Sequence, residues 1–484
     1  VASYAIHNFG CRASAADGDA IAAQLDMALA RPQQPLQENS GVNFDSTRGV
    51  HPDGHHPGVV IVNTCSVTAQ AERSARALIR RTHREHPDAR ILVTGCYAQR
   101  DPATLQSLPG VSVVVGNSHK SSVAGLALQS MARPSIEAGF VPLASLLHTP
   151  YPLRPFAGEH ADASVLPVLP QSARRTRPIL KVQDGCGNRC SFCIIPETRG
   201  PSRSISLRES VAATEAFVTK GGQELVLSGI NLGRWGRDLV DSSSYSHQLV
   251  LADLVRALLE ETSLPRLRIS SVEPMDWTPD LLALFARYAT GNAPRLAPHA
   301  HLPLQSGADT TLRRMHRRYR PWHYAEKVQH LRSLMPHAAI GADIMVGFPG
   351  ETDRQFAESL AFVEAQPFTY LHLFRFSPRA RTAAEAWHTA TPVSPAKVSA
   401  GMRALQALAD AKHSAFIRSM LGHTLSSVTL RDNTALTANF LSVEIPFNVA
   451  PNTLLPLRIA SIEGASSGGQ RDLRITGIPE VSAQ

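Results

Sequence analysis

Long apolar runs are missing from this 484-residue chain. No stretch of about eighteen uncharged apolar residues occurs, which excludes a membrane-spanning helix. The opening residues, Val1-Ala2-Ser3-Tyr4-Ala5-Ile6, lack a basic region and an extended apolar core. They read as a first strand and not as a signal peptide, so the cytoplasm is the expected compartment. Cysteine is scarce: six in all, at 11, 65, 96, 186, 190 and 193, with none beyond 193. So few thiols without a secretion signal exclude a disulfide framework and leave metal or redox chemistry. Acidic residues fall short of basic ones, 40 against 48, for a net charge of +8. That excess suits a polyanionic partner such as nucleic acid, although alone it selects none. With 43% apolar and 18% charged residues the composition is that of a globular protein. Its length calls for several cores.

Half of the cysteines fall in one stretch, Cys186-Gly187-Asn188-Arg189-Cys190-Ser191-Phe192-Cys193. A fully protein-bound [4Fe–4S] cluster takes four thiolates. Three leave one iron open to an outside ligand, as catalytic metal sites keep a position free. A zinc knuckle would want a fourth ligand and C-x2-C pairs.

In chain order, the first segment alternates apolar strands with helical stretches. Strands are expected near residues 2–9, 59–62, 91–94 and 111–117, with helices near 15–30 and 69–85, which predicts a small parallel α/β domain. The Pro-, Gly- and His-rich passage 31–58 reads as a surface loop, and His51, His55 and His56 as its composition, not as metal ligands. Cys11, Cys65 and Cys96 each follow a predicted strand, at the edge where open α/β sheets bind ligands. Inert core cysteines are the plain alternative. The repeated placement, beside a second triplet, favours another three-thiolate site. Residues 131–176 read as a Pro- and Ala-rich connector. A second array runs from 177 to about 415, with six strands separated by helices near 206–219, 249–261, 309–316 and 353–365. It predicts a partial (β/α)6 barrel with function at the C-terminal strand ends. On that reading the ligand-binding candidates are Gly221, Gly222 and Glu224, then Ser271 and Glu273, then Gln305. The basic run 313–320 includes Arg317 and Arg318, which could grip phosphates; Arg199 and Arg203, beside the cysteine loop, are further candidates. After a helix near 395–420, four strand-like stretches from 416 onward fit a small antiparallel barrel.

The C-x3-C-x2-C spacing with an aromatic before its last cysteine, Phe192, matches the radical S-adenosylmethionine (SAM) superfamily. Thr64-Cys65-Ser66-Val67-Thr68, Gly95-Cys96-Tyr97-Ala98-Gln99, Cys193-Ile194-Ile195-Pro196, Leu302-Pro303-Leu304-Gln305-Ser306-Gly307 and Gly347-Phe348-Pro349-Gly350-Glu351-Thr352 extend the match. Together they resemble the radical-SAM methylthiotransferases, most closely the branch acting on threonylcarbamoyladenosine beside the tRNA anticodon. The resemblance implies an N-terminal methylthiotransferase domain (1–130), a radical-SAM barrel (177–415) and a TRAM-like β domain (416–484). It implies two [4Fe–4S] clusters: Cys186, Cys190 and Cys193 for the one that binds and cleaves SAM, and Cys11, Cys65 and Cys96 for an auxiliary one that carries the sulfur. Phe192 and the strand-end residues would then meet SAM. Implied partners are the tRNA anticodon stem-loop, a low-potential electron donor and a sulfur donor. Ser14 stands where the family usually has Asn, which bears on hydrogen bonding near Cys11. Methylthiolation of isopentenyladenosine or of a ribosomal-protein aspartate, and a non-enzymatic iron–sulfur RNA-binding regulator, are the competing readings.

Overall fold

The computed structural model describes residues 3–29, 57–132, 175–239, 248–464 and 473–479. The 31–56 part of the predicted loop, its three histidines and nearly all of the connector lie outside these residues. The chain divides into two compact units, and the cysteine loop contributes to both: Asp184–Gly187 and Ile194–Pro201 belong with Val1–Val168, and the remainder with the second unit.

The first unit is built on four parallel strands in the order β1 (Tyr4–Asn8), β2 (Val59–Thr64), β3 (Arg90–Gly95) and β4 (Val111–Val115). β2 is buried along its whole length, as its Val-Ile run requires of a strand covered on both faces. Helix Arg12–Ala28 follows β1, and helix Ala69–Glu85 follows β2. The second begins where Thr68 accepts a hydrogen bond from the Ala71 amide, satisfying one of the free donors of the first turn.

The second unit holds the six expected strands and a short extra one, β6 (Arg203–Ser204). β5 (Ile179–Asp184), β7 (Glu224–Gly229) and β8 (Arg266–Ile269) form one sheet with β6. β9 (His299–Gln305), β10 (Ala339–Val346) and β11 (Tyr370–Arg375) form the next. All neighbours except the short β6 are recorded as parallel, and the sheets meet where the Val272 amide donates to the His301 carbonyl (3.0 Å). This is the partial (β/α) barrel. Its helices start on good capping side chains. Ser206 with Glu209 and Thr352 with Gln355 form capping boxes, and Ser394 caps helix Pro395–Ser419 with proline in its first turn.

The C-terminal strands close into a barrel ordered β12 (Thr424–Thr429), β13 (Thr434–Thr437), β14 (Ser442–Glu444), β16 (Arg474–Pro479) and β15 (Leu454–Glu463). Every pairing is antiparallel except β14 with β16. β16 went unseen in the sequence because Arg-Ile-Thr-Gly-Ile-Pro carries a glycine and a proline that demote a strand reading. Its Gly477 lies against β15 and Val443, where a Cβ would come within 2.7 Å of the valine methyl.

The small barrel seats its Phe440 against the larger one. The Phe440 ring lies 4.7 Å from that of His299 and 5.8 Å from that of Tyr370, centroid to centroid, with the Arg268 guanidinium 5.3 Å away. Beneath it Glu224, fully buried, pairs with Arg268 (2.7 Å), Arg266 (3.3 Å) and Arg177 (3.4 Å). Arg268 also donates to the Thr437 carbonyl, and Arg266 to the Ser426 hydroxyl. Burial opposes ionisation of Glu224, but Arg268, then Arg177 and Arg266, outweigh it and hold the carboxyl at about 2.

This overturns one set of expectations. Gly221 and Gly222 precede β7, at the end of the sheet away from the cysteine loop, and Glu224 is its first residue. The glycines turn the chain out of helix Leu207–Thr219, with the Gly221 carbonyl accepting from Asn452 of the small barrel. Gly-Gly before an apolar run and Gly after it look alike locally; the ladder decides which end is which.

Glu224→Gln should therefore lower stability by about 3–5 kcal/mol, because it strands buried guanidinium charge. With a folded pKa below the ordinary 4.5, the carboxylate's contribution is complete above about pH 4.5 and is lost as pH falls toward 2. The gap between thermal melts of the two proteins should narrow as pH falls from 7 toward 2; a constant gap would contradict the assignment.

Candidate metal and cofactor sites

Three adjacent strands deliver the three early cysteines to one sheet edge. Cys65 follows β2 and Cys96 follows β3 directly, while Cys11 stands three residues past β1 at the head of helix Arg12–Ala28. Gly95 makes the β3 turn at φ +99°, where a Cβ would lie 2.2 Å from the Thr64 carbonyl oxygen. Cys65 and Cys96 are buried, Cys11 is exposed, and all three are free thiols. Burial, then the neighbouring Cys96 and Cys11 sulfurs, push the Cys65 thiol up to about 12. The Val67 amide donates to its sulfur at 3.4 Å. On Cys96 the donors are Arg199 Nε (3.3 Å) and Asn117 Nδ2 (3.5 Å).

Arg199 is the central finding here. It ends the short helix Ile195–Arg199, six residues past Cys193, yet only 1% of its side chain is exposed. Its other nitrogens pair with Asp184 (2.8 Å) and Asp17 (3.1 Å) and approach Ser14 Oγ (3.3 Å). Lys120 closes the network on Asp17. Desolvation works against the charge, but Asp184, Cys96 and Asp17 raise its pKa well above the usual arginine value. Arg199 is thus no phosphate contact: it faces sulfur and carboxylate inside the first unit. Ser14 sits in the same network, its hydroxyl 3.8 Å from the Cys11 sulfur. Lone donors aimed at sulfur suit thiolates more than neutral thiols. The donor set, three free cysteines with N–H groups on two of them and a hydroxyl beside the third, fits a three-thiolate iron–sulfur site.

The second triplet lies on the loop after β5. Gly185 opens it at φ +76°, where a Cβ would collide with the Pro201 carbonyl oxygen at 1.9 Å. In the second unit, the Cys193 amide donates to the Cys190 carbonyl and the Ser191 amide to the Met315 carbonyl. Phe192 sets its ring edge-on to Phe348, 6.4 Å away, which packs in turn on Phe376 and Trp387. Cys190 receives Arg317 Nη1 at 3.3 Å. Arg317 is buried, lies over the Tyr319 ring and pairs with Glu273. It too is no phosphate contact, and the Glu273 carboxylate is engaged by it. Each triplet therefore has one buried guanidinium donating to one sulfur.

The remaining candidates spread around the barrel. Gln305 ends β9 at φ +68°, and Ser271 follows β8 with its hydroxyl 2.7 Å from His301 Nδ1. His301, Asp343 and His372 bring potential ligand atoms within 4.8 Å of one another. Burial opposes ionisation of Asp343, but His301 and then His372 lower its pKa well below the usual range, as an internal Asp–His network would. Arg203 is half-buried in β6 and Arg318 is exposed. The structure adds residues missed in the sequence. Gly229, Ile230 and Asn231 occupy the C-terminal end of β7, where the Asn231 amide donates to Gln183 (2.7 Å). Their signal was the Gly-Ile-Asn following an apolar run. Among the described residues no helix is long and apolar enough to cross a membrane.

Comparison with known proteins agrees with this layout. The model of the Radical SAM superfamily matches residues 180–363, and that of Uncharacterized protein family UPF0004 matches residues 3–116. Threonylcarbamoyladenosine tRNA methylthiotransferase MtaB of Bacillus subtilis (strain 168) is 32% identical over 387 residues, 79% of this chain and 75% of that protein. The Aquifex aeolicus (strain VF5) protein of the same name is 32% identical, over 80% of this chain and 87% of its own. The tRNA-2-methylthio-N(6)-dimethylallyladenosine synthase of Parafrankia sp. (strain EAN1pec) is 33% identical, over 88% of this chain and 77% of its own.

Alkylation of the metal-free protein followed by peptide mass spectrometry should label exposed Cys11 well before Cys65 and Cys96. Loading with iron and sulfide should protect all three together. Protection of Cys186, Cys190 and Cys193 alone would break the early triplet as a site.

Proposed function

Because the chain belongs to the radical-SAM methylthiotransferase family, we propose that it inserts a methylthio group at C2 of N6-threonylcarbamoyladenosine next to the tRNA anticodon. The observation that carries this reading is the gathering of Cys11, Cys65 and Cys96 at one sheet edge, in a chain that also holds Cys186, Cys190 and Cys193. SAM with one [4Fe–4S] cluster is what a radical-SAM enzyme uses; the second cluster is our inference from the early triplet.

Cys186, Cys190 and Cys193 would hold the first cluster, which with bound SAM supplies, on one-electron reduction, the radical that takes hydrogen from the adenine. Cys11, Cys65 and Cys96 would hold the second, the source of the transferred sulfur. Around them the chain's own side chains have positioning roles. Arg317, fixed by Glu273 and Tyr319, neutralises charge at Cys190; Arg199 does so at Cys96, where the Asn117 amide adds a hydrogen bond. Hydrogen bonds to cluster sulfurs raise reduction potential, so both arginines favour electron uptake. Phe192, braced on Phe348, holds the loop in shape and limits water at the radical site. Ser271 and Gln305, at strand ends, are the remaining candidates of the sequence for SAM. The reaction consumes electrons and sulfur, so a low-potential electron donor and a sulfur donor join tRNA as partners. The net charge of +8 suits the RNA.

Nucleoside mass spectrometry of tRNA from cells with and without the gene tests the substrate. Methylthio-threonylcarbamoyladenosine should vanish on deletion; loss of the methylthio-isopentenyl nucleoside instead would move the activity to that base. In the reconstituted enzyme, Cys190→Ala should abolish formation of 5′-deoxyadenosine from SAM. Cys65→Ala should keep SAM cleavage while eliminating methylthio product, and product from that variant would refute the sulfur-carrying role.

A further inference from the structure

A cleft opens beside Cys190 in the second unit, and guanidinium groups dominate it: Arg189, Arg234, Arg317 and Arg318 all line it. Two are committed. Arg317 pairs with Glu273, the carboxylate in the lining, and Arg234 approaches Asp276 at 3.5 Å, a carboxylate shared with Arg237 (3.0 Å). Arg189 and Arg318 are exposed and neither comes within 4.0 Å of a carboxylate among the described residues, although Arg318 lies near enough to Asp276, behind Arg234 and Arg237, to help lower its pKa against the rise that burial causes. Arg189 sits between the cysteines of the triplet, and its carbonyl is 3.2 Å from His316 Nδ1. The backbone bond between Ser191 and Met315 ties the cysteine loop to the turn that carries Arg318. Two guanidiniums outside any ion pair therefore stand at the lip of a radical site, on backbone held against that site.

The proposed substrate offers a matching group. The N6 substituent leaves the same edge of the adenine as C2, with only N1 between them. A threonylcarbamoyl group ends in a carboxylate a few bonds from the reacting carbon, whereas a dimethylallyl group ends in methyls. Planar guanidinium donors match a carboxylate, and each would lose its water for nothing against a branched alkyl chain.

Resting on the substrate reading above, we propose that Arg318 and Arg189 bind the carboxylate of the N6-threonylcarbamoyl substituent and thereby select it over an apolar one. The pair acts in substrate specificity, while Arg317 stays with Cys190.

The test uses reconstituted holoenzyme, wild type and the variants Arg318→Gln, Arg318→Lys and Arg189→Gln. Three anticodon stem-loop RNAs, with threonylcarbamoyl-, dimethylallyl- or unmodified adenosine at the target position, are titrated by fluorescence anisotropy. KM for SAM is measured in parallel. The glutamine variants should bind the threonylcarbamoyl RNA roughly ten- to a hundredfold more weakly. Their affinity for the other two RNAs and their KM for SAM should stay unchanged, and Arg318→Lys should recover part of the loss. Equal weakening across the three RNAs would make these arginines phosphate contacts and overturn the proposal. A raised KM for SAM would reassign them to the methionine carboxylate, and unchanged binding throughout would remove them from recognition. A wild-type enzyme that methylthiolates only the dimethylallyl RNA would overturn the substrate reading itself. Wild-type turnover of the threonylcarbamoyl RNA with indifferent variants would overturn only the carboxylate site.

Discussion

A buried guanidinium organises the first unit. Arg199 has almost no solvent contact, so its charge is tolerable only because Asp184, Asp17 and the Cys96 sulfur surround it. The aspartates are fixed in turn: Asp17 by helix Arg12–Ala28 and by Lys120, Asp184 by its place at the end of β5. The network thereby locks the segment that follows Cys193 to the pocket of the early cysteines. A shift in either would strand buried charge, so the geometry of those cysteines and the path of residues 194–201 are mutually enforced.

The second unit solves a similar problem at the base of its barrel. Glu224 receives three arginines, and two of those reach the C-terminal β-barrel through Thr437 and Ser426. Phe440 adds an aromatic face to the same junction. A strand interior lined with Glu, Arg and His instead of Val and Ile would be costly alone. Here the small barrel supplies the partners, so the C-terminal strands complete the structural core of the catalytic array. The arginine–sulfur contacts at Cys96 in the first unit and Cys190 in the second are the parts of this buried polar structure that bear on chemistry.

Much of this was legible in the residues. The six cysteines stand out because an iron–sulfur cluster is held chiefly by that side chain. The strands that position them were marked by short apolar runs and the helices by their period. The arginines were not legible. Arg199 and Arg317 share the composition of a phosphate-binding face, and nothing local distinguishes a guanidinium headed for solvent from one headed for sulfur. Arg189 and Arg318, adjacent to such residues in the chain, end up exposed instead.

By itself, then, the sequence determined the order of elements, the parallel α/β character of both arrays, the β character of the C-terminal region and which cysteines are candidates for a cluster. Those follow from short-range patterns and from covalent chemistry. Tertiary structure alone decided that Gly221-Gly222-Glu224 lies at the base of the barrel and that Gly229-Ile230-Asn231 lies at its mouth. It also decided which arginines are buried on cysteine sulfur and which are exposed. The reason is physical: burial and charge pairing arise between residues distant in the chain, such as Arg199 with Asp17 or Glu224 with Arg268, and no local window contains both partners.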